Sequence, residues 1–222
     1  MNQMNTWSQV DRYVEDKLIP RDPLLEAVLT NNQQSNLPPI DVAPNQGNLL
    51  QLLLQIQKGK RVLEIGTLGA YSTIWMARAL PDDGSLITLE LDPHHADIAH
   101  RNLELAGLDH LVEIRVGDAL LQLEKMKNEE EEPFDFIFID ADKPNNPAYI
   151  KYALELSYTG TVIIGDNVIR EGEITNHHST DPRIQGVRQF YDILSNETQI
   201  SATAIQTVGS KGYDGFVIGI VN

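Results

Sequence analysis

The sequence predicts an α/β domain on a seven-stranded, mostly parallel sheet, with helices on both faces and extra helices at the N-terminus. Three observations carry this expectation. The aliphatic run Val62-Leu63-Glu64-Ile65 ends in Gly66-Thr67-Leu68-Gly69 and passes into a helical pattern, the strand, glycine turn and helix that open a doubly wound sheet. From there short apolar runs alternate with helix-length segments, which argues for parallel strands joined by crossovers. Acids recur where the strands end, at Glu64, Glu90, Asp118, Asp140 and Asp166. A chain of 222 residues suits a single domain over 1–222, with helices over 1–57 covering the site and a sheet-bearing core over 58–222.

Residues 7–30 read as two helices broken at Pro20 and Pro23, with Asp22 as a cap and Pro23 at the first helical position. A polar loop then leads to an apolar helix over 45–57. These helices either form a lid or dimer contact at the ligand-binding edge or simply pack on the sheet; both readings stay open. The glycine turn feeds a helix over 71–80. SLITLEL (85–91) is the second strand, and Asp92-Pro93 starts a helix that ends near Gly107. VEIRVG (112–117) is the third strand, followed by a helix near 119–127 with Asp118 as its cap. FDFIFID (134–140) is the fourth strand, NPAYIKYALELS a helix, and TVIIGD (161–166) the fifth strand. A helix near 183–195 precedes two closing strands over 199–208 and 212–221.

Thirty-two acids face 17 bases, for a formal net charge of -15. That field opposes non-specific binding to nucleic acid or to an anionic membrane. The run Glu129–Glu132 contributes part of it and is expected in a solvated loop. There is no cysteine, hence no disulfide and no thiolate metal site. No apolar run suits a signal peptide or a membrane span, so a cytoplasmic protein without a membrane partner is expected.

In an open α/β sheet, ligands bind beyond the carboxyl ends of the strands, so the five acids should converge on one crevice. The turn G-T-L-G-A-Y lacks the G-x-G-x-x-G spacing that brings backbone against a pyrophosphate, and Glu64 beside it would repel phosphate. Glu90, ending the second strand, can accept both hydrogen bonds of a ribose diol, which favours an adenosine-containing cofactor. Asp140, Asp166 and Asn167 offer two carboxylates and an amide oxygen from adjacent strand ends. Such an incomplete hard-oxygen set suits Mg²⁺, Mn²⁺ or Ca²⁺ rather than zinc. Lys143 would stand beside that cation as a general base, or form a salt bridge to Asp140 or Asp142. His177-His178 is expected to be solvated.

Taken together, VLEIGTLGAYSTIWMARAL, ITLELDP, FDFIFIDADKPN and GDNV resemble the cation-dependent O-methyltransferases, which include catechol O-methyltransferase and the caffeoyl-CoA O-methyltransferases of plants and bacteria. Glu64 to Ser72 is similar to motif I of class I S-adenosylmethionine (SAM) methyltransferases. The likeness runs from about residue 37 to the C-terminus, through VAPNQGNLL and VGSKGYDGF. It implies a Rossmann-like class I methyltransferase fold and a SAM- and divalent-metal-dependent O-methyltransferase acting on a catechol-type, vicinal dihydroxy phenolic small molecule. It also implies that Asp140, Asp166 and Asn167 hold the metal, Mg²⁺ foremost, and that Lys143 is the base. Glu64, Gly66, Thr67 and Ser72 would line the methionine end of SAM, and Glu90 would bind its ribose. Val42, Ala119, Asp140 and Asp142 would complete the pocket.

Leu68 stands where catechol O-methyltransferase has an aromatic residue and Ala119 where it has a serine, both as in the bacterial and plant branch. That enzyme's acceptor-gripping acid has no clear counterpart. The acceptor should be set by residues 1–40, the loop 168–183 and Tyr213. The resemblance further implies a homodimer, with Trp7 or the N-terminal helices as contacts. Some relatives methylate a modified uridine in transfer RNA, which the acidic net charge opposes. A non-catalytic binding module is disfavoured because Lys143 and both metal acids are present, and an NAD-dependent dehydrogenase because the third glycine is not in place.

Overall fold

In the computed structural model, which describes residues 3–222, three helices precede the sheet: α1 (Gln3–Leu18), α2 (Pro23–Gln34) and α3 (Pro44–Gln57). The core then alternates β1 (Arg61–Ile65), α4 (Tyr71–Ala77), β2 (Ser85–Glu90), α5 (Pro93–Ala106), β3 (Val112–Val116), α6 (Ala119–Asn128) and β4 (Phe134–Ile139). It continues with α7 (Asn146–Glu155), β5 (Ser157–Asp166), α8 (Pro182–Asn196), β6 (Ile200–Gly209) and β7 (Gly212–Val221). Short 3₁₀ turns occupy Lys143–Asn145 and Arg170–Thr175.

The expected caps form. Asp22 Oδ1 accepts the amides of Leu24 and Leu25, Asp92 Oδ1 that of His94, and Asp118 Oδ1 those of Leu120 and Leu121. Each satisfies donors that a helix start leaves without a partner. Gly107, in the left-handed region at φ 66°, closes α5.

The seven strands run in the order β3-β2-β1-β4-β5-β7-β6. β1 to β5 are parallel, whereas β7 lies antiparallel between β5 and β6. The order reverses between β1 and β4, so the crevice beyond their carboxyl ends is the topological place for a ligand. Strand alternation sorts the core into two layers. Leu63, Ile65, Ile137, Ile139 and Ile163 pack with residues of α6, α7 and α8. Val62, Phe136, Phe138 and Ile164 pack with residues of α2, α3, α4 and α5.

Three elements differ from expectation. Helix α4 ends at Ala77 rather than 80, because the amides of Ala79 and Leu80 turn to the carbonyls three residues back just ahead of Pro81. Strand β5 starts at Ser157, pairing with Phe134 before a register shift to Phe136–Val162. Glu131, within the acidic run, is not simply solvated: its Oε1 lies 2.7 Å from Arg115, which also contacts Glu113 at 2.8 Å.

Helices α2 and α3 belong to the core, and Gly47 of α3 sits on the Trp75 ring so closely that a Cβ would fall 2.3 Å from it. Helix α1 has no buried residue. Its Asp11 nonetheless accepts the Ser210 amide at 2.6 Å, tying it to the β6–β7 turn. Among the described residues no helix is long and apolar enough to cross a membrane.

Candidate active site

Two cavities meet beyond the carboxyl ends of β1, β4 and β5. The first, about 780 Å³, is lined by Val42, Gly66, Thr67, Ser72, Glu90, Ala119, Asp140 and Asp142, together with Lys143. The structure thus brings all but one of the expected cofactor residues onto one surface. Glu64 is the exception. It lies on the α4 side of β1, is 0 % exposed, and does not line the cavity. Its Oε1 accepts from Ser72 Oγ at 2.6 Å, and its Oε2 from Thr73 Oγ1 at 2.5 Å and Thr88 Oγ1 at 2.7 Å. Burial, reinforced by the charge of Asp140, pushes its carboxyl up to about 7 against the three hydroxyl donors. Glu64 supports the cavity wall from beneath, through Ser72, and the five-acid crevice is reduced to four at the surface.

The glycine turn explains itself physically. Gly66 has φ 101°, and a Cβ there would fall 2.3 Å from the Asp140 carbonyl, so β1 and β4 can approach only with glycine. The amides of Thr67 and Leu68, which a phosphate would occupy in a dinucleotide enzyme, both donate to Glu90 Oε2, at 3.2 and 2.8 Å. Glu90 Oε1 accepts the Asp92 amide at 2.9 Å and lies 3.5 Å from His95 Nδ1. Both carboxylate oxygens of Glu90 thus accept backbone amides in this structure.

Asp142 is held by two donors, Tyr149 at 2.5 Å and Asn145 Nδ2 at 2.8 Å. Burial and the bonded carboxylate raise the Tyr149 hydroxyl above its ordinary value, so it stays a donor. Sequence reasoning did not single out Tyr149 or Asn145; only their return to Asp142 across the start of α7 marks them.

The second cavity, about 810 Å³, is lined by Asp140, Asp166 and Asn167 at its floor. Its walls come from segments expected to set the acceptor: Pro39 and Ile40, Arg170, Glu171, Glu173 and Ser179, and Tyr213. Asp140 and Asn167 line both cavities. Lys143 is 7 % exposed and its Nζ lies 3.0 Å from Asp140 Oδ1, so the salt bridge held open as an alternative is present. Asp166 is 4 % exposed. Burial and the neighbouring Asp140 charge hold its carboxyl well above the usual range, against Lys143 and the Asn167 amide at 2.7 Å. Among the described residues no cluster of three or more His, Cys, Asp or Glu is placed to hold a metal ion. His177 stays at the surface, its Nδ1 against Arg188 at 2.9 Å.

A family model described as O-methyltransferase matches residues 16–214. The chain belongs to this family. A catechol O-methyltransferase of Niastella koreensis is 48% identical over 215 residues, covering 97% of both chains. An O-methyltransferase from Bacillus cereus, solved in complex with SAH, superposes with a TM-score of 0.98 at 58% identity, over 99% of this chain and 100% of that one. TomG of Streptomyces achromogenes, solved with SAM, gives 0.96 at 42% identity over the whole of both chains. The protein is accordingly a SAM-dependent O-methyltransferase with the Rossmann-like fold of its family. The first cavity, with Glu90 and the glycine turn, is where the sequence resemblance places the SAM site.

Proposed function

We propose that this enzyme transfers the methyl group of SAM to one hydroxyl of a catechol-type, vicinal dihydroxy phenolic small molecule, with a divalent cation, Mg²⁺ foremost. The observation that carries the reading is the position of Asp140 and Asn167 on the wall common to both cavities, with Lys143 against Asp140. The similarity to a protein named catechol O-methyltransferase supports the acceptor class.

Asp140, Asp166 and Asn167 fit a hard cation by their chemistry. They supply oxygen donors only, and the two carboxylates have one ammonium between them in a buried setting, a charge excess that a cation would offset. When bound, the cation would lower the pKa of a phenolic hydroxyl, and SAM would supply the electrophilic methyl. Lys143 Nζ, as the neutral amine after losing a proton to solvent, would take the phenolic proton, the phenolate oxygen would accept the methyl group, and SAH would leave. Glu90, through Thr67 and Leu68, keeps the cofactor turn in place, and Asp142 is oriented by Tyr149 and Asn145. Val42, buried, and Ile40, exposed, line both cavities on the side of the segment before α3. Positioning of acceptor against methyl donor carries much of the expected gain.

Methyl transfer to caffeic acid, measured with Mg²⁺ and with EDTA, tests this directly. Turnover that EDTA abolishes and Mg²⁺ or Mn²⁺ restores supports the proposal. SAM binding without turnover on any vicinal diphenol would refute the acceptor class and make a transfer-RNA substrate the next to assay.

A homodimer is part of the proposal. Helix α1 leaves Met4, Val10, Tyr13 and Leu18 exposed, and β6 exposes Ile205 and Val208, apolar surface that a second copy would cover. Light scattering after size exclusion would find a monomer if this is wrong.

A further inference from the structure

We propose that Asn102 and Asn32 are positioning residues for the cofactor turn, joining it to the segment that walls both cavities. The inference rests on the reading that residues 66–72 border SAM.

The turn is strained. Leu68 (φ 52°) and Ala70 (φ 65°) are non-glycine residues in the left-handed region, two positions apart. Backbone of this kind persists only where its surroundings over-determine it. Glu90 holds one end through the Thr67 and Leu68 amides. The other end is held by Asn102 of α5, whose Nδ2 donates to the Gly69 carbonyl at 2.9 Å.

The contact does not stop there. Asn102 is 0 % exposed, and its Nδ2 also donates to Asn32 Oδ1 at 2.9 Å. Asn32, likewise buried, donates from Nδ2 to Asp41 Oδ1 at 2.8 Å. Asp41 lines both cavities beside Val42. Four separate stretches of chain are thereby linked in series: the turn, α5, α2 and the segment before α3. Asn31 completes Asn102 from outside, donating to its Oδ1 at 2.9 Å. Gly69 provides the room, since a Cβ there would fall 2.0 Å from Asn32 Oδ1.

Packing alone does not call for such a chain. Two asparagines at buried helical positions carry a desolvation cost that leucine would avoid, and a hydrogen-bond network of this kind is stable only when each member is satisfied. Here it runs behind the glycine turn and reaches the cavities only at Asp41, so loosening it should weaken the hold on the cofactor without touching the reacting groups.

Calorimetric titration of the full-length chain with SAH tests the assignment, alongside KM for SAM and kcat. Asn102→Ala is expected to raise the SAH Kd about tenfold, the scale of one lost hydrogen bond. KM for SAM should rise in step, while kcat at saturating SAM stays within about twofold. Asn32→Ala should raise Kd about threefold or more. The double variant should be no worse than Asn102→Ala alone, because the chain is already broken. Asn31→Ala, at the outer end, should change Kd less than twofold. Amide exchange at 67–70 should quicken in the folded Asn102→Ala protein. A purely structural role would lower the melting temperature and leave the Kd of the folded variant unchanged. An SAH Kd within twofold of wild type in folded Asn102→Ala overturns the proposal, as does the same result in Asn32→Ala if Asn102→Ala fails to fold. If the wild-type chain itself does not bind SAH, the cofactor reading fails first and the positioning role with it.

Discussion

Glu64→Gln isolates a buried charge that the fold tolerates poorly. The wild-type carboxyl is fully enclosed, and burial raises it from 4.5 to about 7, a difference worth about 3 kcal/mol between its two protonation states. The folded-state value lies above the unfolded one, so the folded chain binds this proton more tightly. Its stabilising contribution is complete below 4.5 and is lost as the pH rises through 7. Between pH 5 and pH 8 the wild type should therefore lose about 2 to 3 kcal/mol that the glutamine variant does not. Glutamine keeps the shape and can still accept from Ser72, while the hydroxyls of Thr73 and Thr88 can rotate to accept from its amide nitrogen. Urea unfolding of both proteins at the two pH values, without ligand, measures the difference. Other titrating groups cancel in the comparison, including Asp22, whose Arg78 and amide partners hold it below its usual value. Parallel stability profiles, agreeing within about 1 kcal/mol, would refute the argument that desolvation governs Glu64.

Gly66→Ala should destabilise the fold by about 2 kcal/mol or more and abolish SAH binding, since its φ of 101° and the Asp140 carbonyl leave a Cβ no room; thermal unfolding and calorimetry read both. Lys143→Ala is expected to lower kcat by about 10²–10⁴ with the SAH Kd nearly unchanged, and Lys143→Arg should not restore it because guanidinium does not deprotonate. A variant retaining a tenth of the wild-type kcat would remove Lys143 as the base. Tyr149→Phe takes one of two donors from Asp142 and should raise KM for SAM about fivefold at constant kcat. Equal KM values in the two proteins would show that Asn145 alone positions Asp142.

Much of the fold is written in short-range chemistry. The alternation of apolar runs with helical periods, the caps at Asp22, Asp92 and Asp118, and the acids closing each strand depend on neighbours a few residues away, so they can be read along the chain. The glycine turn and the DADK and DN motifs belong to the same class, and the cavities assemble around them. Facing and closure are different. Glu64 is one strand residue among several acids, and only the packing of α4 against β1 encloses it. Lys143 could be paired or free until β4 and β5 set Asp140 and Asp166 beside it. The last turn of α4 was lost to Pro81, a local signal that periodicity outweighed. Asn32, Asp41, Gly69 and Asn102 carry no motif, because hydrogen bonds between residues so far apart in sequence exist only after the helices have docked. Periodicity and capping determine which elements form; burial, which no single stretch of chain contains, decides what each side chain then does.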